Sequence, residues 1–263
     1  MVFQDQLQRS IQLHGVPKRI VSLVPSQTEL LCDLGLEQSI VGVTKFCVHP
    51  SHLIKEKTIV GGTKQVHLDR IKALQPDIIL CNKEENTQEI VEACKAITAV
   101  HVSDIFTIND TLELVSMYGD MFSVKEKATA ISQAIQVEAT SFKEWVQDKP
   151  VKNVVYFIWK KPWMVAANNT FINYLLSINN FKNSFGDLSR YPEITLDNED
   201  VTVDYVLLSS EPYPFKEKHK KDLKNFFPNA KICLVDGEMF SWYGSRLIKA
   251  FRYFKTLHQD YLH

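Results

Sequence analysis

The sequence has almost no net charge: 30 lysines and arginines against 31 aspartates and glutamates leave −1 over 263 residues. That balance gives no general pull toward nucleic acid or an anionic membrane. No apolar run approaches the length needed to cross a bilayer, so the chain is expected not to span a membrane. The opening MVFQDQLQRSIQLHG lacks a basic region followed by an apolar core, so no secretory signal is read there and a cytoplasmic location stays open. Cysteine is scarce. The five (Cys32, Cys47, Cys81, Cys94 and Cys233) are odd in number and never spaced CxxC, which argues against a disulfide framework and a zinc ribbon. A Gly-rich phosphate loop, HExxH and GxSxG are also missing, so phosphoryl transfer, zinc hydrolysis and serine hydrolysis find no anchor and no catalytic residue is assigned.

What is present is an ordinary globular balance, with 45% hydrophobic and 23% charged residues, and one long amphipathic stretch. From Ser123 to Gln147 the apolar residues Val124, Ala128, Ile131, Ile135, Phe142 and Trp145 recur in steps of three, four or seven. They share one helical stripe, and no Gly or Pro interrupts it before Pro150. At about 1.5 Å per residue such a helix spans roughly 35 Å, enough to join two lobes. The same pattern also fits a long packing helix inside one domain. The favoured division is an N-terminal α/β lobe over residues 1–122, a connecting helix over 123–147 and a C-terminal α/β lobe over 148–263.

Strands and helices alternate on both sides of this helix. Lys18 to Pro25 reads as a buried strand, with Ser26 and Glu29 forming an S-x-x-E capping box for a helix that Gly35 ends. Further strands are read at 40–44, 78–81, 99–102, 154–159, 163–166, 205–208 and 231–235. Helices fall at 68–74, 87–97, 107–122, 171–178, 216–227 and 247–257; the basic one at 216–227 reads as a solvated face. This alternation predicts two lobes, each a mostly parallel sheet flanked by helices. A faint internal repeat agrees: Leu68-Asp69 precedes Pro76-Asp77-Ile78-Ile79-Leu80, and Leu196-Asp197 precedes Val203-Asp204-Tyr205-Val206-Leu207 at nearly the same spacing.

In open parallel sheets, ligands bind beyond the carboxyl ends of the strands. The loops expected there are rich in aromatics, including Phe46, Trp159, Trp163, Tyr213, Phe240, Trp242 and Tyr243. Such side chains offer flat faces to a planar or macrocyclic ligand, or else plug the ends of the lobes. Cys47 and His49 lie in what reads as a loop and could ligate a metal, with Glu84, Glu85 or Glu211 as a third donor. A Cys-His hydrolase is possible on residue types, but nothing places an orienting group beside the pair.

RIVSLVPSQTELL, the VGVT strand and loop, VGGTK, LDRIKALQPDIIL and GSRLIKA, in this order from about Lys18 to His258, resemble the helical-backbone metal-chelate receptors. These are the class III substrate-binding proteins of ABC importers for cobalamin, iron-siderophores and haem. The resemblance is nearest to the cobalamin branch. It implies a non-enzymatic, monomeric protein of the periplasm or cell envelope, with no intrinsic cofactor, holding a metal chelate in a cleft between the lobes. The expected ligand is a corrinoid, otherwise a ferric siderophore or haem. Family cleft aromatics fall on Phe46, Trp163 and Tyr191, and a family tryptophan is replaced by Thr63. Trp242 and Tyr243 are expected to add apolar contact, with Cys47, His49, Glu84 and Glu85 as polar or metal-facing candidates. The acids by which the family docks on its permease fall on Asp69 and Asp197. A single helical linker implies small lobe movements. A cytoplasmic enzyme handling metals or tetrapyrroles on the same scaffold is the alternative.

Overall fold

The computed structural model describes residues 1–196 and 202–262. Asp197 therefore lies outside the described residues. The chain divides into two compact units. Unit 1 holds Met1–Ile135 with Tyr243–Arg246, and unit 2 holds Gln136–Trp242 with Leu247–His263.

Unit 1 begins with an antiparallel hairpin, β1 (Val2–Gln4) and β2 (Ser10–Gln12), in a segment for which no element is read from sequence. Asp5 builds its turn: Oδ1 accepts the amides of Leu7 and Arg9 at 3.0 Å each, and Oδ2 takes the Arg9 guanidinium. There follow β3 (Ile20–Ser22), α1 (Pro25–Asp33), β4 (Ile40–Val43), α2 (Leu53–Glu56), β5 (Thr58–Ile59) and α3 (Leu68–Ala73). β6 (Ile78–Asn82), α4 (Gln88–Lys95), β7 (Ala99–Ser103) and α5 (Ile108–Met121) complete the alternation. The five strands pair in parallel in the order β5-β4-β3-β6-β7. β3 and β6 are buried throughout, as the apolar runs at 20–24, broken only by Ser22, and at 78–81 require of strands covered on both faces.

The capping box expected at Ser26 and Glu29 does not form. α1 starts two residues earlier, at Pro25, with Val24 as the N-cap and no side chain capping it. Proline suits the first helical turn because it has no N–H to leave unsatisfied. Ser26 and Glu29 are then interior helical residues, and Glu29 accepts the Arg246 Nε at 2.7 Å in a buried ion pair. A true capping box forms at α5: the Thr107 hydroxyl accepts the Asp110 amide at 3.2 Å, and Asp110 accepts the Thr107 amide at 2.8 Å.

The long helix is α6 (Lys125–Val146), and the division between the units falls within it. Of its buried residues Ala128, Ile135, Phe142 and Val146, the first three are seven apart. Gly119 of α5 lets the first of these approach, since a Cβ there would sit 2.6 Å from that of Ala128. Phe142 packs at 5.8 Å from both Phe251 and Phe254.

Unit 2 continues with β8 (Lys152–Trp159), β9 (Met164–Val165), α7 (Phe171–Ile178), β10 (Phe181–Asn183), β11 (Tyr205–Ser209), α8 (Glu217–Lys224) and β12 (Lys231–Val235). α9 (Gly237–Ser241) occupies a stretch read from sequence as loop. α10 (Arg246–Thr256) runs on into a π-helical turn, Leu257–Tyr261. The parallel order is β10-β8-β11-β12, and β9 adds to β8 antiparallel. Both sheets follow one winding rule: early strands build outward on one side, then the chain crosses to the other. The reversal falls between β3 and β6 in unit 1 and between β8 and β11 in unit 2.

Candidate functional site

In doubly wound sheets of this kind, ligands gather outside the carboxyl ends of the strands near the reversal. In unit 1 that edge carries the loops after β4, β5 and β6. Phe46 follows β4 and is 48% exposed, with Lys45 Nζ 5.0 Å from its ring centre. Gly62, on the loop after β5, leaves it room, because a Cβ there would come within 3.1 Å of the Phe46 ring. Thr63 is half-buried, and its carbonyl accepts Asn86 Nδ2 at 2.9 Å. Lys64 Nζ donates to the Glu84 carbonyl at 2.7 Å, tying the loop after β5 to the loop after β6.

Buried amides shape that second loop. Asn82 Oδ1 accepts the amides of Glu84 and Glu85 at 2.8 and 3.1 Å, so both glutamates stand half-buried on a fixed turn. Beneath lies a closed polar network: Gln27 Nε2 donates to Ser103 Oγ at 2.7 Å and to Tyr243 Oη at 2.8 Å, while Tyr118 Oη donates to Gln27 Oε1 at 2.7 Å. Burial raises the Tyr243 pKa above the ordinary range, against the opposing hydrogen bonds with Ser103 and Gln27, and holds it as a neutral phenol.

Cys47 does not belong to the exposed edge. It is fully buried, its Sγ lies 3.1 Å from Thr28 Oγ1 and 3.3 Å from Thr44 Oγ1, and burial pushes its thiol pKa up. The expectation that Cys47 and His49 act as a metal-binding pair is therefore corrected: the thiol points into the core of unit 1, while His49 is half-buried two residues on. A short polar loop was readable around Cys47; the inward turn of its side chain was not.

In unit 2 the corresponding edge carries Trp159 to Trp163 after β8 and Ser210 to Phe215 after β11. Trp163 is half-buried, stacks on Phe215 at 6.2 Å with ring planes 6° apart, and has Lys160 Nζ 5.3 Å from its ring centre. Trp159 is 38% exposed and meets Tyr213 edge-on at 5.5 Å. Tyr191 lies on the segment beside β9, where the Ala167 amide donates to the Arg190 carbonyl at 2.8 Å; the Arg190 guanidinium lies 5.9 Å from its ring.

Glu211, weighed above as a metal donor, is committed elsewhere. Its carboxylate accepts Ser241 Oγ at 2.7 Å and Trp242 Nε1 at 2.9 Å, and burial raises its pKa. Trp242 and Tyr243 are each 6% exposed, so the open aromatic faces expected of them are replaced by buried, hydrogen-bonded rings. Phe240 is likewise fully buried, 5.2 Å from Tyr156. The loop read at 237–244 is in fact α9 and its continuation, which turns these aromatics inward.

The exposed faces suit noncovalent capture of a flat, largely apolar molecule, oriented by a few polar groups at the rim. Asp69 is exposed in the first turn of α3. Among the described residues, one group of three side chains has metal-ligand spacing, Glu37, His52 and Glu56, and sequence reading did not single it out.

Residues 20–226 match the family described as periplasmic binding protein. The chain belongs to this family. Among its relatives, this periplasmic binding protein is 23% identical over 262 residues to the uncharacterized ABC transporter substrate-binding lipoprotein YvrC of Bacillus subtilis, covering 95% of this chain and 82% of that one. It is 24% identical over 258 residues to the vitamin B12-binding protein of Vibrio campbellii, covering 94% and 92%. The crystal structure of a periplasmic heme-binding protein from Pseudomonas aeruginosa superposes with a TM-score of 0.80 at 19% identity, covering 93% of this chain and 94% of that one. At that identity the likeness establishes the fold, two α/β lobes with one long connecting helix. No described helix is long and apolar enough to cross a membrane.

Proposed function

We propose that the protein is the ligand-capturing component of an ABC importer of the cell envelope, and that it carries a metal chelate without transforming it. The expected cargo is a corrinoid, with a ferric siderophore or haem as the other members of that class. The observation that carries this reading is the pairing of family membership with aromatic rings on the strand-end loops of each unit, the exposed Phe46 in one and the half-buried Trp163 in the other. Relatives named for vitamin B12 and for heme support a large chelate over a small polar solute.

In this reading Phe46, Trp163 and Tyr191 provide apolar contact, while Thr63, His49, Glu84 and Glu85 line the polar rim. Trp242 and Tyr243 support these surfaces from beneath. Asp69 and Asp197 carry the charge that sets register on a permease, as one carboxylate on each half of a binding protein can.

Calorimetric titration of the purified chain with cyanocobalamin, hemin and ferrichrome tests the assignment. One-to-one binding of one of the three at micromolar or tighter affinity is expected. Failure of all three to bind contradicts the proposed cargo class.

A further inference from the structure

Glu37, His52 and Glu56 lie away from the strand-end loops that carry Phe46 and Thr63. Glu37 opens the one-turn 3-10 helix Glu37–Ser39 that leads into the amino end of β4, and Glu56 closes α2 just before β5 begins. Phe46 and Thr63 follow the same two strands at their opposite ends. His52 is the N-cap of α2 with helical backbone angles, so His52 and Glu56 are four residues apart on one helical face. One donor atom from each of the three side chains lies within 4.8 Å of the other two, and His52 Nε2 is 2.8 Å from Glu37 Oε1.

From this geometry we infer a second binding site, for a first-row divalent cation of the zinc class, formed by the carboxylates of Glu37 and Glu56 and the imidazole of His52. Zinc binds nitrogen and oxygen donors at about 2.0–2.2 Å, which places tetrahedral donors roughly 3.4 Å apart. The spacing here brackets that value, so small side-chain rotations close the site around an ion. Two carboxylates and one imidazole are the donor set of zinc and its neighbours, whereas magnesium and calcium favour all-oxygen cages. Charge points the same way. Among the described residues neither Glu37 nor Glu56 has a lysine or arginine salt-bridge partner, although Lys55 and Lys57 flank Glu56 in sequence. The partner of Glu37 is the imidazole itself. A bound cation would neutralise both carboxylates and fix α2 to the turn before β4. Water would fill the remaining coordination position, since two of the donor residues are exposed and the third is half-buried.

Titration of the full chain with zinc chloride, followed by calorimetry and by the visible absorption of cobalt(II) as a substitute, tests the site. One equivalent is expected to bind, and His52→Ala and Glu56→Gln should each weaken it by roughly tenfold or more, since even outer partners of a metal cost that much when removed. The double variant Cys47→Ser with His49→Ala, and Cys32→Ser, should leave zinc affinity unchanged. No saturable zinc binding, wild-type affinity in His52→Ala and Glu56→Gln, or loss of binding in the Cys47 and His49 variant would each overturn the inference. Because the proposed chelate surface is untouched by His52→Ala and Glu56→Gln, cyanocobalamin binding to these variants reads out that assignment separately.

Discussion

Asp77 and Asp204 hold the same place in their two sheets. Each stands just before the strand that crosses the reversal, β6 in unit 1 and β11 in unit 2, and each ties that strand to the start of its neighbour. Asp77 Oδ2 accepts the amides of Lys18 and Arg19 at 2.7 and 2.9 Å, and its own amide donates to the Arg19 carbonyl. Asp204 Oδ2 accepts the Asn153 amide at 2.7 Å, and its amide donates to the Asn153 carbonyl. These are the aspartates that close the faint sequence repeat, so the repeat records a shared solution to pairing the central strands.

Replacing either aspartate by alanine removes a charge-assisted bond to backbone N–H. Asp77→Ala and Asp204→Ala should each lower stability by about 1–2 kcal/mol in urea unfolding. An unchanged midpoint in both variants would show that the backbone pairing alone holds these strands.

The buried ion pair of Glu29 and Arg246 carries more. Its side chains are 6% and 5% exposed, so Glu29→Ala leaves a guanidinium in the core of unit 1. A loss of about 3–5 kcal/mol is expected, read by thermal and denaturant unfolding. Exchange of both residues for apolar ones should cost much less than Glu29→Ala alone, because the penalty arises from the stranded charge.

His101 makes unit 1 sensitive to acid. Its imidazole is fully buried with Nε2 3.1 Å from Met117 Sδ, and burial lowers its pKa to about 4, with the nearby Asp5 carboxylate opposing and Arg9 assisting. His258 of unit 2, stacked on Phe181 at 5.0 Å, is also lowered to about 4, by burial first and by Lys149 second. Between pH 6.5 and 4 the unfolded chain binds more protons at these positions than the folded one, so stability is full above pH 6.5 and falls as the pH drops through this window. The His101 contribution reaches about 3 kcal/mol at most. His101→Gln should flatten the slope of unfolding free energy against pH between 4 and 7; an unchanged slope would place the acid sensitivity elsewhere.

Thiol chemistry separates a buried Cys47 from a reactive one. Burial raises the thiol pKa of each cysteine, that of Cys32 to about 12 with Glu37 adding to the effect. The folded protein should react slowly with a disulfide reagent at neutral pH, and Cys47→Ser should leave chelate binding intact. Rapid loss of one thiol equivalent accompanied by loss of binding would return Cys47 to the ligand surface.

The alternation of strands and helices was legible because fully buried strands carry apolar runs such as 78–81, and α6 was legible because Ala128, Ile135 and Phe142 repeat at seven. The short strands β1, β2, β5 and β10 were not: they have only two or three residues each, too few for any period to register. β1 and β2 are joined by the turn that Asp5 builds, while β5 and β10 pair with β4 and β8. The candidate site was legible only in part. Phe46 and Trp163 stand on strand-end loops that turn signals mark well. The inward turn of Cys47 and the engagement of Trp242 by Glu211 depend on residues 19 and 31 positions away, which local pattern does not encode. The Ser26 motif misled because Pro25 and Arg246 compete for the roles a capping box would assign.

The most direct test of the account is equilibrium binding of cyanocobalamin to the wild-type chain, Trp163→Ala and Phe46→Ala, followed by tryptophan fluorescence and calorimetry. The account predicts saturable one-to-one binding by the wild type. It predicts weakening by roughly tenfold or more in each variant, as loss of a large aromatic contact face costs about 1–3 kcal/mol. Equal affinity in all three proteins would contradict capture on the strand-end loops, and absence of binding together with absence of hemin and ferrichrome binding would contradict the chelate assignment itself.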